Sequence, residues 1–124
     1  MHNFHMIAWR DERGTTAVEF AIVGPVFIAL IIGMLYLCLA LFAVGSMHYA
    51  VEEGARCASV RTTVCSNATT IVSYAQSRYF GPSSPTFTYA AAACGNSVSG
   101  SINYVVELGL QQVTIPITAT ACFP

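Results

Sequence analysis

The pattern of apolar and polar positions divides the chain into three parts. Residues 1–14 are short of apolar periodicity and mostly polar. Phe20 to Val44 then runs for 25 positions without a charged residue. A helix of that length rises about 37 Å at ~1.5 Å per residue, enough to cross a ~30 Å hydrocarbon core. Thr15 and Thr16 are suited to cap it, with Glu19 near the positive end of the helix dipole. Pro25 should kink it, having no N–H for the carbonyl of Ala21.

The helix is expected to continue past the membrane. In Ser46 to Val60, the residues Met47, Ala50, Val51, Gly54, Ala55 and Ala58 form a stripe of mostly small apolar side chains at helical spacing. Glu52 and Arg56 form an i,i+4 pair worth about 0.3 kcal/mol, and Glu53 reads as exposed. One helix over about 15–60 would be ~70 Å long, with the membrane span at about 17–44.

The remaining residues, 61–124, read as a small α+β domain. Asn67 caps a second helix over Ala68–Tyr79, which Gly81-Pro82-Ser83-Ser84-Pro85 ends. Three strand-like runs follow: Thr86–Tyr89, Ile102–Leu108 and Val113–Ala121, with Gly95–Ser101 as a turn-rich link. Pro116 argues for an edge strand. The fold class is therefore α+β: a long N-terminal helix with a small antiparallel sheet laid on its C-terminal half.

Composition narrows the function. Hydrophobic residues make up 55% of the chain and charged ones 9%, with a net charge of −1 and no lysine. No basic patch exists for nucleic acid. The five cysteines are Cys38, Cys57, Cys65, Cys94 and Cys122. Cys38 reads as a buried small hydrophobe within the apolar run. The other four suggest two disulfides and an oxidising compartment. Of three pairings, Cys57–Cys65 with Cys94–Cys122 is preferred, because 57 and 65 are close in sequence across a helix end. No C-x-x-C occurs, so zinc and thioredoxin-like chemistry are not expected. Arg10 and Arg13 precede the span closely, whereas the first basic residue after it is Arg56. That places the N-terminus in the cytoplasm and the cysteines outside.

The most informative feature joins the first two parts. Arg13-Gly14-Thr15-Thr16-Ala17-Val18-Glu19-Phe20 sets a carboxylate at the mouth of the apolar run, five residues after a glycine. A plain anchor has no use for such a group, which is costly at membrane depth. This junction resembles a prepilin signal, the class III type cut by prepilin peptidase. Within that group the chain resembles the TadE-like pseudopilins of tight-adherence (Flp) pilus systems. The resemblance lies in Gly14 to Phe27 and in Val51 to Ala58, which includes Glu53-Gly54-Ala55-Arg56.

The resemblance implies specific roles. Cleavage falls after Gly14, leaving Thr15 as the new N-terminus and Glu19 at the fifth mature position. Glycine lets the peptidase approach the backbone closely. Glu19, followed by Phe20, would pair with the α-amine of a neighbouring subunit and set the axial register. The implied partners are prepilin peptidase, inner-membrane lipid, the major Flp pilin and TadF-like and TadG-like relatives. The implied role is a minor pilin for a pilus that supports adherence and biofilm formation, located in the bacterial inner membrane with a periplasmic domain, or in the extracellular fibre. No cofactor, metal or catalytic constellation is expected. The alternative is an unprocessed single-pass anchor carrying a periplasmic binding module.

Other features take plainer readings. His2 and His5 belong to a cytoplasmic tail, and His48 to an interfacial polar position. Glu52 and Glu53 point apart on a helix and do not make paired carboxylates. Asn67-Ala68-Thr69 fits a glycosylation sequon but serves as a helix cap. Tyr74, Tyr79, Phe80, Phe87 and Tyr89 are expected to form an aromatic packing cluster.

Overall fold

Small side chains on one stripe of a helix allow another layer to approach closely, and the chain folds around such a stripe. The computed structural model describes residues 12–124, with side chains from residue 14 onward. The first helix, α1, spans Glu12–Val60 and runs unbroken through Pro25. It is followed by α2 (Ala68–Ser77) and the strands β1 (Thr86–Ala92), β2 (Gly95–Leu108) and β3 (Gln111–Phe123). The chain divides into two compact units, Met1–Leu35 and Tyr36–Pro124.

In the described part of the first unit, the side chains lie on one apolar, largely exposed helix. Thr15 and Thr16 sit inside it rather than capping it, because helical backbone is already present at Glu12. The expected leader, including His2, His5 and Arg10, lies outside the described residues up to residue 11.

The second unit is α+β. The three strands form an antiparallel sheet in the order β1-β2-β3. One sheet face carries Phe87, Val98, Ile102, Tyr104, Val106, Ile117 and Ala119, all buried. The opposite face carries Thr88, Ser99, Ser101, Thr118 and Thr120, a polar row of the kind a solvated face requires. The apolar face forms a single core with Ala43, Met47, Ala50, Val51, Ala55 and Ala58 of α1, and with Ile71 and Ala75 of α2. The small-residue stripe expected from the sequence is thus the side of α1 that the sheet and α2 cover.

Two glycines are required by close approach. A methyl group at Gly54 would lie 3.0 Å from Cβ of Ala75 and 3.5 Å from both methyls of Val98. One at Gly100 would meet Sδ of Met47 at 2.5 Å and the Phe87 ring at 2.7 Å. Gly100 explains why the expected link at Gly95–Ser101 is a strand. Its Gly, Asn and Ser residues weaken intrinsic strand preference, but β2 is the central strand and is paired on both sides there. The link is instead the two-residue turn Ala93–Cys94.

Other boundaries shift modestly. Asn67 is the N-cap of α2, its side chain accepting from the Thr70 N–H at 2.9 Å while the Thr70 hydroxyl accepts from the Asn67 N–H at 3.1 Å. The helix stops at Ser77, two residues before the expected Tyr79. β3 is an edge strand, which accommodates Pro116 opposite Asn103. Of its alternating apolar residues, Ile117 and Ala119 are buried, but Val113 and Ile115 are 45% and 40% exposed. Disulfides join Cys57 to Cys65, closing the C-terminal end of α1, and Cys94 to Cys122, tying the β1–β2 turn to β3. Cys38 is free and exposed, contrary to the expected burial, because no other element of the second unit covers that side of α1.

The aromatic residues do not form one cluster. Phe87 is buried, Tyr74, Tyr79 and Tyr89 pack partly buried against the core, and Phe80 is exposed. The Tyr79 hydroxyl donates to the Pro82 carbonyl at 2.9 Å, and burial pushes it above the ordinary tyrosine range.

Three outcomes follow for protein held in detergent. Gly54→Val should destabilise the second unit by about 1–3 kcal/mol, read from denaturant melts, because the added methyls enter an occupied seam. Removing Cys94–Cys122, with a sequence separation of 28, should cost more than removing Cys57–Cys65, with a separation of 8. Chain entropy gives about 3.5 against about 2.5 kcal/mol. Tyr79 is neutral more persistently in the folded state, so its contribution is complete below about pH 10 and falls as pH rises through its elevated value. Melts on the two sides of that value should therefore show a smaller alkaline loss for Tyr79→Phe than for the parent protein.

Candidate functional site

The two sequence blocks singled out above fall in different units and have opposite surroundings. Gly14, Thr15, Glu19 and Phe20 all lie on helical backbone and are all exposed. Phe20 is 77% exposed. Among the described residues, a methyl group at Gly14 would meet nothing within 4 Å. The Gly14–Thr15 peptide is helical, and any enzyme that needs it extended must unwind it locally.

Glu19 stands about 7.5 Å along the axis from Gly14 at ~1.5 Å per residue. Among the described residues it makes no hydrogen bond and no ion pair. The helix that follows has the length and composition to cross a membrane, and its most apolar stretch is covered by almost nothing in the chain. An unpaired carboxylate at the edge of such a stretch is stable only in water or beside a cation.

Glu53-Gly54-Ala55-Arg56 is enclosed instead. Gly54 and Ala55 are buried where α2 and β2 converge on α1, and Arg56 is exposed. Glu53 is half-buried rather than exposed, because α2 brings Tyr74 over it. The Tyr74 hydroxyl donates to Oε2 of Glu53 at 3.4 Å. It accepts from Nη2 of Arg78 at 2.9 Å and from Nη1 of Arg61 at 3.5 Å. The Arg78 guanidinium also lies over the Tyr74 ring, 4.8 Å from its centre. The hydrogen bond to Tyr74, with the electrostatic attraction of its hydroxyl oxygen, raises the Arg78 pKa above its ordinary value. Glu53 thus engages α2, and the expected Glu52–Arg56 ion pair is absent among the described residues.

Next to this network is a cleft of about 200 Å³ lined by Glu53, Arg56, Cys57, Val60, Arg61 and Tyr74. Its cysteine is disulfide-bonded, and Glu53, Tyr74 and Arg61 of its lining are joined by hydrogen bonds through the Tyr74 hydroxyl. Among the described residues no group of three His, Cys, Asp or Glu could hold a metal ion.

Two roles escaped sequence reasoning, those of Ser46 and Tyr74. Ser46 is buried, and its hydroxyl oxygen accepts the Phe80 N–H at 2.7 Å, fixing the loop after α2 to α1. A lone serine beside an apolar stripe carries no signal of that partner. Tyr74 organises two arginines and a carboxylate, a role invisible until α2 is placed against α1.

No curated protein and no solved structure matches the chain. A family model does, described as TadE-like protein, over residues 14–56. The match takes in the exposed Gly14–Phe20 junction and the buried Glu53–Arg56 seam together, and identifies residues 14–56 as a TadE-like segment, consistent with a Tad pilus-related protein.

Proposed function

We propose that the chain is a minor pilin of the pseudopilin type, cut after Gly14 and used in assembling a Tad (Flp) pilus. The observation that carries this reading is Glu19. It is a carboxylate without a partner in the described chain, five residues after an unobstructed glycine, at the start of an apolar exposed helix. Cleavage after Gly14 creates an α-amine at Thr15, whose ordinary pKa near 8 leaves it largely cationic at neutral pH. The Thr15 amine of one subunit is the cation that the Glu19 of its neighbour lacks. Their pairing fixes axial register while the apolar helices pack laterally.

The mechanism is assembly, not catalysis. The precursor sits in the inner membrane with its N-terminus cytoplasmic and residues 61–124 periplasmic, where the two disulfides form. Prepilin peptidase acts on the Gly14–Thr15 bond. The exposed helix then finds the major Flp pilin and the TadF-like and TadG-like subunits. In the fibre, or at its base, the disulfide-tied domain faces outward and supports adherence and biofilm formation.

Intact mass and N-terminal sequence of the protein from its native membrane test the reading. A chain beginning at Thr15 is expected, and Gly14→Leu should retain the precursor. A chain still beginning at Met1 beside an active prepilin peptidase would leave an unprocessed anchor in its place. Glu19→Ala should be cleaved normally and yet abolish surface pili recovered by shearing.

A further inference from the structure

The second unit has an apolar end that its own core does not use. β1 pairs with β2 from Gly95 to Ser101 and no further. From Ile102 onward β2 and β3 continue as a two-stranded ribbon to the turn at Gly109–Leu110. Gly109 supplies the positive φ, +64°, that leads a two-residue turn. A ribbon of two strands is marginal in water unless one face is covered.

One face is covered, along α1. Val98 lies against Gly54, and Gly100 against Met47, so β2 and α1 run in opposite directions. Advancing from Val98 to Val106 covers about 26 Å at ~3.3 Å per residue. Retreating along α1 from Gly54 to Tyr36 covers about 27 Å. Val106 is the last buried residue of β2, and Tyr36 is the N-terminal residue of α1 packed on the same core. The two lengths match, so the ribbon follows α1 back through Val44, Ala40 and Tyr36. Those positions belong to the charge-free run Phe20–Val44.

Beyond Val106 stand Leu108 and Leu110. Leu110 is fully exposed and Leu108 is 56% exposed. Val105, Val113 and Ile115 are also exposed beside them. Between Ile102 and Pro124 the one charged residue is Glu107, whose carboxylate accepts from Nε2 of Gln112 at 3.1 Å. A tip with leucines foremost, and its single charge one step behind, is graded as an interfacial segment is.

We propose that the β2–β3 tip, led by Leu108 and Leu110, inserts into the outer leaflet of the bilayer that α1 crosses. This rests on the membrane reading of α1. The occupant of the apolar tip is lipid, because the ribbon packs along the membrane-crossing run and no basic side chain on it calls for an acidic partner. The protein is therefore held at two points, by the helix and by the ribbon. That fixes the rotation and tilt of the second unit over the membrane, which a lone helix leaves free. Leaving the membrane for a fibre requires both points to release.

Tryptophan fluorescence of the full chain tests this. Trp9→Phe removes the native indole, and Leu110→Trp places one at the tip. The protein is reconstituted in vesicles of phosphatidylethanolamine and phosphatidylglycerol carrying brominated acyl chains. Leu30→Trp, in the apolar run, reports on α1 in the same background. The expected result is a blue-shifted Leu110→Trp emission, quenched several-fold by the brominated chains. Quenching at position 30 with solvent-like, unquenched emission at position 110 would overturn the insertion alone. Blue-shifted but unquenched emission at position 110 would assign the tip to a protein neighbour, such as a second copy, and also overturn it. Absence of quenching at both positions would overturn the membrane reading with it.

Discussion

The second unit depends on how near α1 lets its neighbours come. Met47, Ala50, Val51, Gly54, Ala55 and Ala58 present a nearly flat surface, and Ala75 and Val98 press into it at Gly54. Large side chains there would lift the sheet and open voids that a domain of this size cannot refill. The core it makes is thin. The largest fully buried side chains are Met47, Val51 and Val98. Burial of that extent supplies limited stabilisation to a small domain, so the two disulfides contribute on the same scale as the core.

The two blocks of the TadE-like segment carry different kinds of work. Most of Glu53–Arg56 is engaged within the chain: Gly54 and Ala55 are packed, and Glu53 accepts from Tyr74, while Arg56 is exposed. Gly14 and Glu19 are exposed, and among the described residues no hydrogen bond or ion pair holds the Glu19 carboxylate. An element that is finished in one molecule stabilises it. An element left unfinished is a place where another molecule can act.

Legibility followed the range of the interactions. The long helix and its stripe could be read because period 3.6 is local and charge-free runs are unambiguous. The Asn67 cap is local too. Gly95–Ser101 could not be read as strand, since its identity depends on two partners distant in sequence and on the space beside Met47. Glu53 was misjudged for the same reason: its neighbour Tyr74 is 21 residues away and on another helix. Cys38 was expected to be buried by apolar company along the chain, but company in sequence is not cover in space. At the candidate site, Gly14 and Glu19 could be picked out by residue type and spacing, whereas Ser46 and Tyr74 needed the tertiary arrangement.

Pro116 has a consequence for association. It sits midway along β3, the outer strand of the sheet, opposite Asn103. A strand edge with an unbroken row of N–H and C=O groups is a template on which a second sheet can grow. Proline deletes a donor from that row, and its ring holds an arriving backbone away. Copies of this domain therefore cannot zip together edge to edge along β3 without stranding a carbonyl. Crowding copies of this domain does not by itself drive cross-β stacking along that edge.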